Sequence, residues 1–95
     1  MRIESPKTLD RFRGYGKCEL CGNAGYREVH HVFARGMDDA FRNDLAINLV
    51  SLCRVCHARA EQEAGMREEC LKIISEREGI SLDVLKTVLL RLRNA

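Results

Sequence analysis

Tryptophan is missing from this chain of 95 residues, and only five of its side chains, three Phe and two Tyr, are aromatic. A chain so short buries roughly 60–65% of the surface it exposes when unfolded. With so few large rings and 32% charged residues, its core is marginal and calls for a staple. Long apolar runs are absent too. The longest uncharged apolar stretch runs from Leu45 to Cys53 between Asp44 and Arg54, well below the roughly 18 residues of a membrane span. The opening "MRIESPKTLDRFR" lacks the apolar centre of a signal peptide, so a cytoplasmic location is expected. There thiols stay reduced, and Cys-x-x-Cys pairs point to metal or redox chemistry rather than disulfides.

Net charge is also small, +2, but it is unevenly spread. Residues 1–17 carry a net +3, and residues 18–65 a net −2. Four zinc-bound thiolates would leave their site a further −2. Affinity for a polyanion would rest on the N-terminal arm, a few placed arginines and any second cation, and would depend strongly on salt.

What is present reads as one domain, residues 1–95. Ser5 before Pro6 caps a short basic helix that carries Leu9 and Phe12 on one face and stops at Gly14. "GYGKCELCGNAG" reads as a tight knuckle and a turn, "YREVHHVF" as a strand, residues 34–46 as a long functional loop, and "INLVSLC" as a second strand. A helix from Arg54 to Glu63 ends near Gly65. Met66, Cys70, Ile73 and Ile74 then recur at helical spacing, Gly79 stops that helix, and Ser81 caps another with a stripe of Leu82, Leu85, Val88, Leu89 and Leu92. The stripe is expected to bury against the Met66–Ile74 face, which favours a monomer; a homodimer through these helices is the alternative. As a helix-turn-helix reader the last helix is too apolar to lie in a groove.

Of the five cysteines, Cys18 with Cys21 and Cys53 with Cys56 form two Cys-x-x-Cys pairs. Four thiolates supply a closed tetrahedral zinc site. Redox chemistry of the thioredoxin type lacks its βαβ setting here, and two disulfides are disfavoured by the compartment. Cys70, on an apolar helix face, reads as an inert core thiol. The three histidines, His30, His31 and His57, lie at the end of the first strand and the start of the following helix. If the strands form a hairpin and the helix packs across it, all three share one site.

The series "EVHHV", "NLVSLC" and "CRVCH" resembles HNH (His-Asn-His) nucleases of the ββα-metal fold, in the subclass with two zinc-binding Cys-x-x-Cys pairs. The likeness covers residues 17–63; the helical extension at 66–94 lies outside it. It implies an α+β fold: a small zinc-stapled ββα-metal module flanked by a short N-terminal helix and a C-terminal helical hairpin. It further implies a DNA endonuclease that leaves 5′-phosphate and 3′-hydroxyl ends and, as a monomer, nicks one strand of a duplex, with little sequence specificity visible. His31 would be the general base, Asn48 would hold the loop that orients it, and His30 with His57 would bind one divalent cation. Strict strand alternation points His30 and His31 to opposite faces, so both roles require the strand to bend or end there. Arg35 is expected as a phosphate clamp, its planar fork matching phosphate. Two imidazoles without a carboxylate favour manganese, with nickel and cobalt next, over magnesium. The main rival is a non-catalytic zinc-ribbon module that binds nucleic acid or protein, which leaves the histidines and Asn48 unexplained.

Overall fold

The computed structural model describes residues 2–33 and 42–94. The elements follow in the order β1 (Arg2–Ile3), α1 (Pro6–Phe12), β2 (Gly14–Lys17), β3 (Ala24–His31), β4 (Arg42–Asn43), a 3-10 turn (Ala46–Asn48), β5 (Leu49–Leu52), α2 (Arg54–Gln62), α3 (Met66–Glu78) and α4 (Leu82–Arg93). The expected α+β architecture is present: an antiparallel sheet ordered β2-β3-β5 with four helices around it. A short parallel pair of β1 with β4 lies apart from that sheet.

Burial on both faces explains why β5 is apolar apart from Ser51, whose hydroxyl donates to the Phe12 carbonyl at 2.7 Å. The four residues of the strand are all buried, since α1 covers one face of the sheet and α2 and α3 pack on the other. Leu49 joins Leu9 and Phe12 of α1 in a small cluster. Val50 and Leu52, on the opposite face, enter the main core with Cys56, Cys70, Leu71, Ile74, Leu85 and Leu89. The C-terminal stripe therefore buries Leu85 and Leu89 within the chain itself, and Lys86 pairs with Glu68 across α3 and α4 at 2.7 Å. Gly79, at φ +68, supplies the left-handed turn between those helices, a conformation that side chains with a Cβ resist. Cys70 is fully buried, and burial pushes its thiol up to about 11, as suits an inert core residue.

Several details depart from the sequence reading: of the loop expected over residues 34–46, positions 34–41 lie outside the described residues and Arg42–Asn43 form β4, and β3 begins two residues early, at Ala24. Gly14–Lys17 form a strand rather than part of a knuckle, pairing Tyr15 with Tyr26 and Lys17 with Ala24. The central strand ends at His31, two residues earlier than expected, and Ala46–Asn48 form a 3-10 turn before the second core strand. One side chain accounts for both shortenings. Asn48 Oδ1 accepts the Phe33 N–H at 2.9 Å and its Nδ2 donates to the Phe33 carbonyl at 3.2 Å. An amide side chain so satisfies groups that a longer strand would pair by ladder bonds.

Arg77 ties the helical extension to the rest. Its guanidinium donates to both carboxylate oxygens of Glu19 at 2.9 and 3.0 Å, and to the carbonyls of Ala46 and Leu49 at 2.7 and 3.0 Å. It also stacks 4.9 Å from the centre of the Phe12 ring. Glu19 in turn accepts the Ser51 N–H at 2.7 Å. One planar cation thus links α3, the first cysteine knuckle, the 3-10 turn and α1. Arg77→Ala is expected to lower unfolding free energy by about 2–3 kcal/mol, the lower end for a partly buried pair, because Glu19 and two carbonyls lose their donor. A shift in urea midpoint at constant slope measures this, and Arg77→Lys, with a point charge in place of a fork, should recover less than half of the loss.

Candidate metal centres and active site

Each Cys-x-x-Cys pair folds back on its own sulfur. In the first, Cys21 N–H points at Cys18 Sγ at 3.5 Å and Gly22 N–H closes the turn on the Cys18 carbonyl at 2.9 Å. Gly22 adopts φ +80, which favours glycine. In the second, Cys53 caps α2 and its sulfur accepts the Cys56 N–H at 3.4 Å. Packing of α2 across β3 and β5 brings the two knuckles together, so that the four Sγ atoms lie within 4.8 Å of one another. Cys21 and Cys53 are 3.9 Å apart, and every cysteine is a free thiol. Tetrahedral zinc at about 2.3 Å from each sulfur places the sulfurs about 3.8 Å apart, so the four residues fit the ion.

Burial pushes the Cys18 thiol up, but N–H groups of Cys21, Cys53 and Leu20 aimed at its sulfur outweigh this and bring it down to about 6. Cys56 is driven well above the ordinary thiol range, first by burial and then by the other three sulfurs. The cluster so admits a first thiolate readily and resists a full set, unless a doubly charged cation offsets the crowded negative charge.

The three histidines converge. His30 and His57 meet edge to face with ring centroids 5.2 Å apart. His57 Nδ1 lies 2.8 Å from Glu28 Oε1, and His57 Nε2 lies 3.1 Å from Glu61 Oε1. With Nδ1–H donating to Glu28, Nε2 presents its lone pair to a second carboxylate. What binds between two such acceptors is a proton or a metal cation. His30, His57 and Glu61 offer ligand atoms that are all within 4.8 Å of one another, and Glu28 supplies the outer carboxylate that commonly fixes a metal-binding imidazole. Burial, followed by the neighbouring His57, lowers His30 to about 4, so its ring is neutral and able to ligate at physiological pH.

His31 is held differently. Its Nε2 is 2.7 Å from Asp44 Oδ1, and Asp44 is completely buried. The other oxygen of Asp44 accepts the Ser5 N–H at 2.9 Å, and the Asp44 N–H donates to the Ile3 carbonyl at 2.8 Å. The N-terminal segment thereby fixes the carboxylate that fixes the imidazole. Although His30 and His31 leave the strand on opposite faces, the strand ends at this point, and both line one open cavity of about 460 Å³ with His57, Ala60, Glu61 and Arg67. Asn48 braces the same corner, bonding both backbone groups of Phe33 and the Asn43 carbonyl at 2.9 Å. It therefore spans the residues that follow His31 and the residue that precedes Asp44.

Sequence reasoning brought the three histidines, Asn48 and four cysteines to these places but missed Glu28, Glu61 and Arg67. Two of these had a legible signal. Glu28 precedes His30 by two residues on one strand face, and Glu61 follows His57 by one helical turn. The expectation of two imidazoles without a carboxylate is revised, because Glu61 joins them; Asp44 serves His31 instead. Arg67 had no local signal: α3 brings it to the cavity, where its guanidinium stacks 4.8 Å from the centre of the Phe33 ring and makes no hydrogen bond or ion pair among the described residues. Arg35, the expected phosphate clamp, lies with residues 34–41 outside the described residues. Among the described residues no helix is long and apolar enough to cross a membrane.

Comparison of the chain with known proteins finds no matching family model, no matching curated protein and no matching solved structure.

Proposed function

We propose that this protein is a divalent-metal-dependent DNA endonuclease of the HNH type, which nicks one strand of a duplex and leaves 5′-phosphate and 3′-hydroxyl ends. The observation that carries the reading is the pairing of His31 with a buried carboxylate at the edge of a cavity that also holds His30, His57 and Glu61. A zinc-ribbon binding module has no use for either feature.

His31 acts as general base. Asp44 engages Nε2, which leaves Nδ1 to take a proton from water, and the carboxylate stabilises the imidazolium that results. Asn48 keeps the loop after His31 from shifting, so the base stays aimed. Arg67 has unused donors on a planar fork steadied by Phe33, and it holds a non-bridging oxygen of the phosphate in the role first expected of Arg35. His30, His57 and Glu61 hold the divalent cation, which when bound offsets negative charge on the phosphate and on the leaving 3′ oxygen.

Supercoiled plasmid incubated with the purified protein and manganese should give open circles before linear DNA, and a chelator should abolish the reaction. Manganese should exceed magnesium at equal concentration, with nickel and cobalt intermediate, because two of the three ligands are imidazoles. Protein that carries zinc yet cleaves with none of the four metals would return the chain to the binding-module reading.

A further inference from the structure

The tyrosines of the β2–β3 hairpin are the most exposed large apolar groups in the described chain, apart from Val55: Tyr15 is 82% exposed and Tyr26 67%. They are direct cross-strand partners in the register. Such a pair strengthens a hairpin by up to about 1 kcal/mol, which accounts for two neighbouring rings but not for both standing clear of every other element. Their position adds a second fact. Along β3, Tyr26, Glu28 and His30 share one sheet face by strand alternation, the face on which Glu28 and His30 meet His57 of α2. The ring pair and the candidate metal cluster are thus two ends of one surface, with His30 four positions beyond Tyr26, about 13 Å along the strand.

The flanks of this surface are basic. Lys17 follows Tyr15 by two residues on the same face; it is exposed and makes no hydrogen bond or ion pair among the described residues. Arg54, at the start of α2, has a side chain 89% exposed and forms only a long ion pair, 3.8 Å, with Glu28. Exposed rings beside exposed cations, on the face that also carries the histidine cluster, match the pattern by which proteins hold single-stranded nucleic acid, with bases stacked on rings and phosphates tracked by charge.

We infer that Tyr15 and Tyr26 form a stacking platform for unpaired bases, so that the preferred DNA carries a single-stranded stretch next to the phosphate that is cut. The occupant is a nucleic acid strand with its bases free, since only unpaired bases can present a π-face to the rings. This inference rests on the nuclease reading for the cut, but not for the stacking.

The test is titration of the zinc-loaded protein, without added catalytic metal, into a short oligothymidylate carrying one 2-aminopurine, whose emission falls when it stacks. Parental protein should quench the probe. Tyr15→Leu/Tyr26→Leu should lose the quenching and bind at least tenfold more weakly, Tyr15→Phe/Tyr26→Phe should keep both, and duplex binding should change less than twofold in either variant. Unaltered binding and quenching by the leucine pair, or an equal loss of duplex binding, overturns the platform. If the leucine pair does not fold, the parental protein still decides, because with no tryptophan its ultraviolet emission comes from these two tyrosines alone. Emission unchanged at saturating oligonucleotide, after correction for absorbance, overturns the proposal. Quenching by a protein that cleaves no plasmid with any metal would leave the platform standing and reject the nuclease.

Discussion

His31→Ala should abolish plasmid nicking, lowering the rate by about 10²–10⁴-fold, the usual contribution of a general base, while zinc content and circular dichroism remain those of the parental protein. The magnitude follows from the geometry. The imidazole projects from the last residue of β3 into an open cavity, so its removal leaves no hole in the core. Asp44 keeps its bond to the Ser5 N–H, which limits the cost of a buried carboxylate without its histidine. Asp44→Asn separates positioning from proton affinity: an amide can still touch Nε2 but cannot stabilise an imidazolium, so a loss of about 10–100-fold is expected, with DNA binding unchanged. A plasmid-nicking rate within twofold of the parent for His31→Ala would remove His31 as the base.

Zinc removal should have the larger effect on the fold. Structural zinc contributes about 10–16 kcal/mol in zinc-finger peptides, comparable to or larger than the roughly 5–15 kcal/mol that holds a typical domain together. Here the ion would join the turn after β2 to the first turn of α2, and α2 carries His57 and Glu61. A strong chelator should therefore unfold the chain cooperatively, with loss of helical circular dichroism, and added zinc should restore it. Cys53→Ser should be unfolded or poorly soluble, since it removes both a thiolate and the cap of α2. Cys70→Ala, which changes the remaining thiol, should bind zinc with parental stoichiometry. A metal-free protein that melts within a few degrees of the zinc-loaded form would mean that the four thiols are not the staple.

Much of this architecture is legible along the chain because it depends on neighbours a few residues apart. Ser5 and Pro6 start α1, Gly79 and Ser81 separate α3 from α4, and the Cys-x-x-Cys pairs make their turns with bonds spanning two to four residues. Strand β2 is hidden in the sequence because two of its four residues, Gly14 and Gly16, are glycines, and Gly16 faces a third, Gly25; such residues suggest turns until a partner strand supplies hydrogen bonds. The early end of β3 was equally hidden, since it depends on an amide side chain fifteen residues away.

The sequence by itself determined which chemical groups are available: four thiols in two turns, two adjacent histidines at a strand end, a third beside the second thiol pair, and amphipathic helices able to close over them. Spacing and side-chain chemistry act locally, so these survive without knowledge of the fold. The tertiary structure alone decided the partners of those groups. It gave His31 the carboxylate of Asp44, gave His57 of α2 the carboxylate of Glu28 from β3, brought Arg67 and Arg77 from α3 to the cavity and the first knuckle, and left Tyr15 and Tyr26 uncovered. The His31–Asp44, Glu28–His57 and Glu19–Arg77 pairings join residues 13, 29 and 58 positions apart. No local preference encodes such distances; they arise only when burial of the shared core sets where each element stops and which face it turns outward.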